Sequence, residues 1–244
     1  MRQFIAFLGS LAFCFTPAVA GAEDAIFEAG DHCVAYRTIK EMFFGFDTEI
    51  VGRSCEVTAA LVAAEDGVGS QIVVTVPVKS FDSGNFLRDG SVSELLGAEV
   101  QPDLRFVSNP IDVEALRGAL AAKRFVLPGS LRLAGRAYRV DFPLEVAEIA
   151  GRQAIVGRLP TTFEAFEIEV PTVAGGLIAR PHEDLELVVH LDVARVEGLV
   201  EWARAQFPEF DPNRAPPASS PRPDGSRTHS SAPAITSSAM RSSS

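Results

Sequence analysis

The strongest constraint on the fold is a run of alternating residues in the first third of the chain. Every second position is a branched aliphatic residue: Ile72, Val74, Val76 and Val78. The alternate positions are Val73, Thr75, Pro77 and Lys79. Successive side chains of a strand point to opposite faces, so this period of two predicts a strand with one buried and one solvated face.

The same period recurs along the rest of the chain, with glycine-containing turns between the segments. Several short strands at hairpin spacing indicate an antiparallel sandwich or barrel. An outer-membrane barrel alternates in the same way, but one Trp and two Tyr are too few for its aromatic girdles. The further strands are predicted at 104–106, 126–133, 138–147, 154–162, 166–170 and 185–192.

Two segments have helical character. Ser91 and Glu94 have the spacing of a capping box, which predicts a short helix that begins at Ser91. The stretch 112–122 is rich in Ala and Leu and predicts a second short helix after Pro110. We therefore expect an all-β protein with one or two short helices.

The first twenty residues have the features of a secretory signal peptide. Arg2 is followed by an apolar run that is too short to span a bilayer, and an A-x-A site ends at Ala20. Cleavage there predicts a signal peptide at 1–20 and export to the periplasm. A buried N-terminal helix is the alternative.

The composition changes again near the C-terminus. Residues 211–244 are rich in Pro, Ser and Ala and contain almost nothing to bury. Such a segment cannot offset the entropy lost on ordering, so we expect a disordered tail after a single domain at 21–210. A partner-binding tail is the alternative to a simple spacer.

Three cysteines are present, and Cys14 leaves with the predicted signal peptide. Cys33 and Cys55 then remain as a pair in an oxidising compartment, which predicts a disulfide. Two free thiols are the alternative. Strands predicted at 33–36 and 56–62 place the pair on either side of a crossover.

The formal net charge of −10 restricts the possible partners. A strongly acidic chain is repelled by the phosphates of nucleic acid and by anionic lipid surfaces. We therefore expect no nucleic-acid partner.

No residue pattern indicates catalysis or a metal site. The four histidines include no pair at the helical spacing of a zinc motif, and no G-x-S-x-G nucleophile elbow occurs. His182 and His190 are interpreted as a solvated turn residue and an outward residue of the last strand rather than as a metal cluster. We expect a non-enzymatic protein with no metal and no cofactor.

The order of features after the first alternating strand resembles the YceI-like family. These features are the turn Ser80-Phe81-Asp82-Ser83-Gly84-Asn85, the pair Arg88-Asp89, the run Leu96-Gly97-Ala98-Glu99 and the proline before the next strand. The chain departs from the family where Ser91 occupies a position that usually holds histidine. The resemblance implies a secreted, lipocalin-like, antiparallel closed β-barrel that encloses a polyisoprenoid or quinone-like lipid.

The resemblance also implies a set of site residues. Asn85, Arg88 and Asp89 would lie at the barrel mouth, where they serve either a ligand head group or the turn and helix cap. The inward-facing residues would contact the apolar ligand. They are Val74, Val76, Val78, Phe106, Tyr138, Phe142, Leu144, Phe166, Ile168, Leu187, Val189 and Leu191.

These features favour a periplasmic lipid carrier that makes and breaks no bonds. An eight-stranded barrel can hold one small ligand or be filled by its own side chains. The alternative function is therefore a structural or interaction barrel with a filled core that partners a membrane protein. Resemblance to the family allows that partner to be a redox cytochrome. A lipid hydrolase or isomerase is a third hypothesis, and no residue set supports it. Ligand identity and oligomeric state are left open by the sequence.

Overall fold

In the computed structural model, residues 26–42, 46–65, 67–169 and 179–206 are described. They form one nine-stranded antiparallel sheet. The predicted all-β antiparallel class is therefore confirmed, whereas the predicted signal peptide and tail lie outside the described residues. The strands are β1 (Cys33–Met42), β2 (Phe46–Ser54), β3 (Thr58–Ala63), β4 (Ser70–Pro77), β5 (Asp103–Ser108), β6 (Arg124–Leu133), β7 (Arg136–Ile149), β8 (Arg152–Thr162) and β9 (Ala179–Asp192).

The sheet is strongly curled. Its strand order is β2-β1-β9-β8-β7-β6-β5-β4-β3, so β2 and β3 are its two ends. Ala59 near one end packs in the same buried cluster as Ile155 and Leu191 from the middle of the sheet. This packing brings residues from distant strands together around one apolar interior.

A seam joins β2, one end of the sheet, to the segment that follows β4. Arg53 of β2 and Asp82, which follows β4, exchange backbone N–H···O hydrogen bonds of 2.9 and 2.8 Å. No β2–β3 ladder is present in the described part of the chain. The strands therefore form a curled sheet bridged at Arg53 and Asp82, an arrangement that is consistent with the expected closed barrel.

The segment between the two cysteines is a hairpin, so the predicted crossover is wrong. β1 and β2 pair from Val34–Ser54 to Met42–Phe46. The predicted disulfide between Cys33 and Cys55 is confirmed and joins the open end of this hairpin. Closing a loop of this size contributes about 3 kcal/mol in the chain-entropy model.

Three short α-helices are present among the described residues, rather than one or two. They are α1 (Phe86–Leu95), α2 (Val113–Ala122) and α3 (Leu199–Gln206). None of the three helices meets the requirements for a membrane span.

The first helix begins earlier than predicted. The Asn85 side-chain oxygen accepts hydrogen bonds from the backbone N–H groups of Leu87 and Arg88, at 3.1 and 3.2 Å. Asn85 therefore satisfies two first-turn donors and is the N-cap of α1. Ser91 lies inside the helix, where its hydroxyl donates to the Leu87 carbonyl oxygen, so the predicted capping box at Ser91 is wrong.

β7 and β8 separate towards one end of the sheet. Their pairing ends at Leu144 and Gly157, and the rest of β8 pairs with β9 alone. The 3₁₀ turn Glu164–Phe166 follows β8, and the Phe166 ring packs edge-on against Tyr138 at 5.4 Å. The predicted strand at 166–170 is wrong over its described residues. One reason is that Glu167 has a left-handed φ of 53°, which no strand residue adopts.

The outer face of β9 is less solvated than predicted. His190 and Asp192 are 4% and 2% exposed, so this face is covered at His190 instead of being solvated, although His190 lies outside the cavity lining as predicted. Phe27 stacks on the His190 ring at 5.7 Å, and Arg152 forms an ion pair with the Asp192 carboxylate. Part of the N-terminal segment therefore covers this face of the sheet.

Candidate functional site

An apolar cavity of about 200 Å³ lies inside the curl of the sheet. It is lined by 28 residues, which come from seven of the nine strands, from α1 and from the connections between elements. All of them are Val, Ala, Leu, Ile or Phe except Tyr36. Such a lining removes apolar surface from water, and Tyr36 is its only ionisable side chain.

The structure brings together ten of the twelve residues predicted to face the interior. Eight of the ten lie at alternating positions of their strands. The other two, Phe166 and Ile168, lie on the connection after β8. The role of all ten as ligand contacts stays a prediction. The ten are Val74, Val76, Phe106, Phe142, Leu144, Phe166, Ile168, Leu187, Val189 and Leu191.

Val78 and Tyr138 do not line the cavity. β4 ends at Pro77, and Val78 begins a 3₁₀ turn, so its buried side chain leaves the alternation of the strand. Tyr138 lies towards the end where β7 and β8 separate, and its ring packs against Phe166 instead. Both residues lie beyond the part of their strand that borders the cavity. The alternation of the strand therefore does not place them in the lining.

Several lining residues were missed by the sequence analysis. Val92, Leu95 and Leu96 of the α1 region cover the cavity from outside the sheet. Their spacing of three and four residues is the apolar stripe of a helix, which was a usable signal. Tyr36 was missed although its strand was predicted.

The predicted mouth residues hold the turn before α1 together. The Arg88 Nε and Nη2 atoms donate to the Ser83 hydroxyl oxygen and carbonyl oxygen, at 2.7 and 2.8 Å. The Asp89 carboxylate accepts from the Ser83 backbone N–H at 3.1 Å and also from the Ser83 hydroxyl. With Asn85 as the helix cap, the geometry assigns turn and cap chemistry to all three, and contact with a head group stays a prediction.

Tyr36 contributes the only polar side-chain atom among the described lining residues. Its ring lies across Gly52, its partner on β2, and 5.8 Å from the Phe81 ring. Burial raises the pKa of Tyr36, and the charge of Asp89 adds to this, whereas Arg88 and Ser83 act in the opposite direction. The hydroxyl therefore remains protonated at neutral pH.

Metal chemistry receives no support from the described side chains. Within residues 26–206, omitting the gaps given above, no group of three or more His, Cys, Asp or Glu could hold a metal ion. What the cavity offers chemically is an apolar volume with almost no exposed polar surface.

Several solved structures resemble the chain. BcnA of Burkholderia cenocepacia is 20% identical and has a TM-score of 0.47, with 65% of this chain and 94% of that chain covered. The Campylobacter jejuni YCEI protein is 16% identical, with a TM-score of 0.43 and coverage of 59% and 84%. A polyisoprenoid binding domain from Saccharophagus degradans is 12% identical, with a TM-score of 0.46 and coverage of 64% and 91%.

The family assignment depends on the sequence match. No curated protein matches the chain significantly. The profile of the YceI-like domain matches residues 28–193, which is more than half of the chain. This stretch contains all nine strands and the whole set of cavity-lining residues up to Leu191. The chain therefore belongs to the YceI-like family.

Proposed function

We propose that the chain binds one apolar lipid of the isoprenoid or quinone type inside the curled sheet and carries it through the periplasm. It makes and breaks no covalent bonds. The observation that carries this proposal is the cavity, in which 27 of the 28 lining residues have purely apolar side chains.

The hydrophobic effect is sufficient to drive such binding. Burying one CH₂ group contributes about 0.8 kcal/mol, so a five-carbon isoprene unit contributes about 4 kcal/mol. The entropy cost of association is about 4 kcal/mol or more, so burial of about three units, worth about 12 kcal/mol, is needed to reach micromolar affinity. A single bound chain does not require any polar contact to be held.

Two further features support carriage in the periplasm. Membership of the YceI-like family supports an isoprenoid ligand, because that ligand class is what the resemblance implies. The disulfide between Cys33 and Cys55 is typical of an oxidising compartment. Together with the predicted signal peptide, the disulfide supports export.

The alternative is an interaction barrel whose interior is closed to ligands and whose outer surface meets a membrane protein, such as a redox cytochrome. This alternative predicts that the exported protein has no bound lipid. Native mass spectrometry of protein purified without detergent separates the two functions. We expect a discrete added mass that organic extraction removes and that a prenylated quinone restores.

A matched pair of variants tests whether the cavity holds the lipid. Val76 is 5% exposed and lines the cavity, so Val76→Phe fills space without adding charge and should lower ligand occupancy at least tenfold. Val126 is 60% exposed and does not line it, so Val126→Phe should leave occupancy unchanged. Melting temperatures check that both variants fold. Protein that carries no lipid, and after extraction binds none, would contradict the carrier function.

A further inference from the structure

Helix α1 crosses one end of the cavity. Asp82, before the helix, lies at the seam with β2. After the helix, the Gln101 side-chain oxygen accepts a hydrogen bond of 2.8 Å from the backbone N–H of Gly135 in the β6–β7 turn. The helix therefore spans the curled sheet from the seam to this turn. Three apolar residues of the α1 region line the cavity from this position, and they are Val92, Leu95 and Leu96.

This helix is attached to the sheet by turns and side chains rather than by a backbone ladder. The strands of the cavity wall are joined by ladders, whereas none of the residues of α1 is buried. Where β7 and β8 separate, Phe166 is 3% exposed, so that side of the wall is closely packed. Displacing α1 breaks no ladder hydrogen bond. A long apolar molecule can therefore enter past α1 while the sheet stays intact.

The side of α1 that faces away from the cavity carries no charge over its first two turns. Phe86 and Leu87 are 81% and 69% exposed. Gly90 and Ser91 follow each of them by four residues and are exposed as well. Residues four apart are neighbours on a helix surface, so these four residues form one surface, the outward face of α1.

The charged side chains nearest to this face are engaged in the turn before α1. Arg88 donates to the Ser83 hydroxyl and carbonyl oxygens, and the Asp89 carboxylate accepts from the same serine. The Asp82 carboxylate accepts from the backbone N–H of Gly84 at 2.7 Å. These hydrogen bonds fix the turn, so the start of the helix is presented to solvent in one orientation.

The chemistry of the outward face fits the surface of a neutral bilayer. Two large apolar side chains that stand together in water gain free energy when they leave it. Phe and Leu are accommodated at the boundary between lipid head groups and acyl chains. The face is continuous with the helix that covers the cavity, and a lipid ligand has to come from a membrane. A net charge of −10 opposes an anionic surface, so a zwitterionic surface is the better match.

We propose that the outward face of α1 docks on a zwitterionic bilayer, with Phe86 and Leu87 inserted among the lipid head groups, and that the ligand enters the cavity past this helix. This inference depends on the proposed function, because it assumes that the cavity takes up a membrane lipid. It adds the place of loading, which is the end of the curled sheet that α1 covers.

The test compares two double variants of the exported, lipid-extracted protein. Phe86→Gln with Leu87→Gln removes both apolar side chains of the outward face and keeps residues that favour a helix. The control, Val68→Gln with Val126→Gln, removes two apolar side chains that are 69% and 60% exposed and lie on the β3–β4 turn and on β6. Equal melting temperatures confirm that both variants fold.

Binding and loading are measured with phosphatidylcholine vesicles at 0.15 M salt, where long-range charge effects are screened. Flotation gives the affinity for the vesicles, and the transfer rate of a farnesyl-substituted benzoquinone gives loading. The parent and the control should behave alike. The α1 variant should bind at least tenfold more weakly, because two inserted side chains are lost, and should load at least fivefold more slowly. All three proteins should reach the same occupancy when the quinone is added from ethanol.

The possible results separate docking from ligand binding. Unchanged vesicle affinity and loading rate in the α1 variant would overturn the docking and leave the carrier function intact. Binding only to vesicles that contain membrane proteins would assign the outward face to a protein partner, which also overturns the docking. If quinone added from ethanol does not occupy the parent protein, the proposed function fails, and the route of lipid entry fails with it.

Discussion

At the scale of single residues, two buried histidines are the clearest ionisable groups outside the cavity. Burial is the largest cause that lowers the pKa of His32, and Arg195 also lowers it, whereas Asp192 raises it. Burial likewise lowers the pKa of His190, against the raising effect of Asp31 and Asp192. The folded state therefore favours the neutral form of both rings.

We expect the free energy of unfolding to fall as the pH decreases through about 6.5, the usual histidine value. Below that pH the unfolded chain binds protons that the folded chain resists, so this contribution is fully present above pH 6.5 and is lost on acidification. Urea unfolding at pH 7.5, 6.5 and 5.5 measures the effect. The double variant His32→Gln and His190→Gln should have a shallower pH slope over this range. An unchanged slope would show that the carboxylates, not these histidines, set the acid response.

At the residue scale, what the sequence could predict follows from local periodicity. Phe142 and Leu187 were placed correctly because they lie within long alternating strands. Val78 was misplaced because the strand ends one residue before it. The burial of His190 could not be predicted, because the ring that stacks on it belongs to Phe27, more than 160 residues away in the chain.

At the scale of elements, the same argument explains which strands were found. β2 was missed because its first four residues are exposed and only its second half alternates between buried and less buried positions. Its pairing with β1 is a long-range property that no local pattern shows. The start of α1 was misplaced because both Asn85 and Ser91 are good N-cap residues, and only the three-dimensional structure shows which of them meets free N–H groups.

The cap of α1 gives a prediction at this scale. Asn85→Ala should lower the free energy of unfolding by about 1 kcal/mol, because two first-turn N–H groups lose their acceptor. Ser91→Ala removes only a hydroxyl that bonds back to the Leu87 carbonyl, so it should change stability by less than about 0.5 kcal/mol. Denaturant unfolding compares the two variants, and hydrogen exchange at Leu87 and Arg88 locates the effect. A larger cost for Ser91→Ala would restore Ser91 as the cap.

At the scale of the whole molecule, the cavity and the surface charge make separate contributions to function. The cavity is formed only when the curled sheet brings residues such as Val76 and Leu191 into one cluster, so it depends on all of the strand pairings together. The sequence predicted the apolar faces but could not predict the seam at Arg53 and Asp82, because no local pattern connects β2 to the segment after β4.

The net charge leads to the last prediction. A carrier must approach a membrane to load its lipid, and a net charge of −10 repels it from anionic bilayers over the Debye length. That length is about 30 Å at 0.01 M salt and about 8 Å at 0.15 M. Loading of a prenylated quinone from anionic vesicles should therefore be several-fold slower than from zwitterionic vesicles at 0.01 M salt, with little difference at 0.15 M. Transfer rates into lipid-extracted protein measure this, with zwitterionic vesicles at both salt concentrations as the control. Faster loading from the anionic vesicles at low salt would mean that a local basic surface, rather than the overall charge, governs the encounter with the membrane.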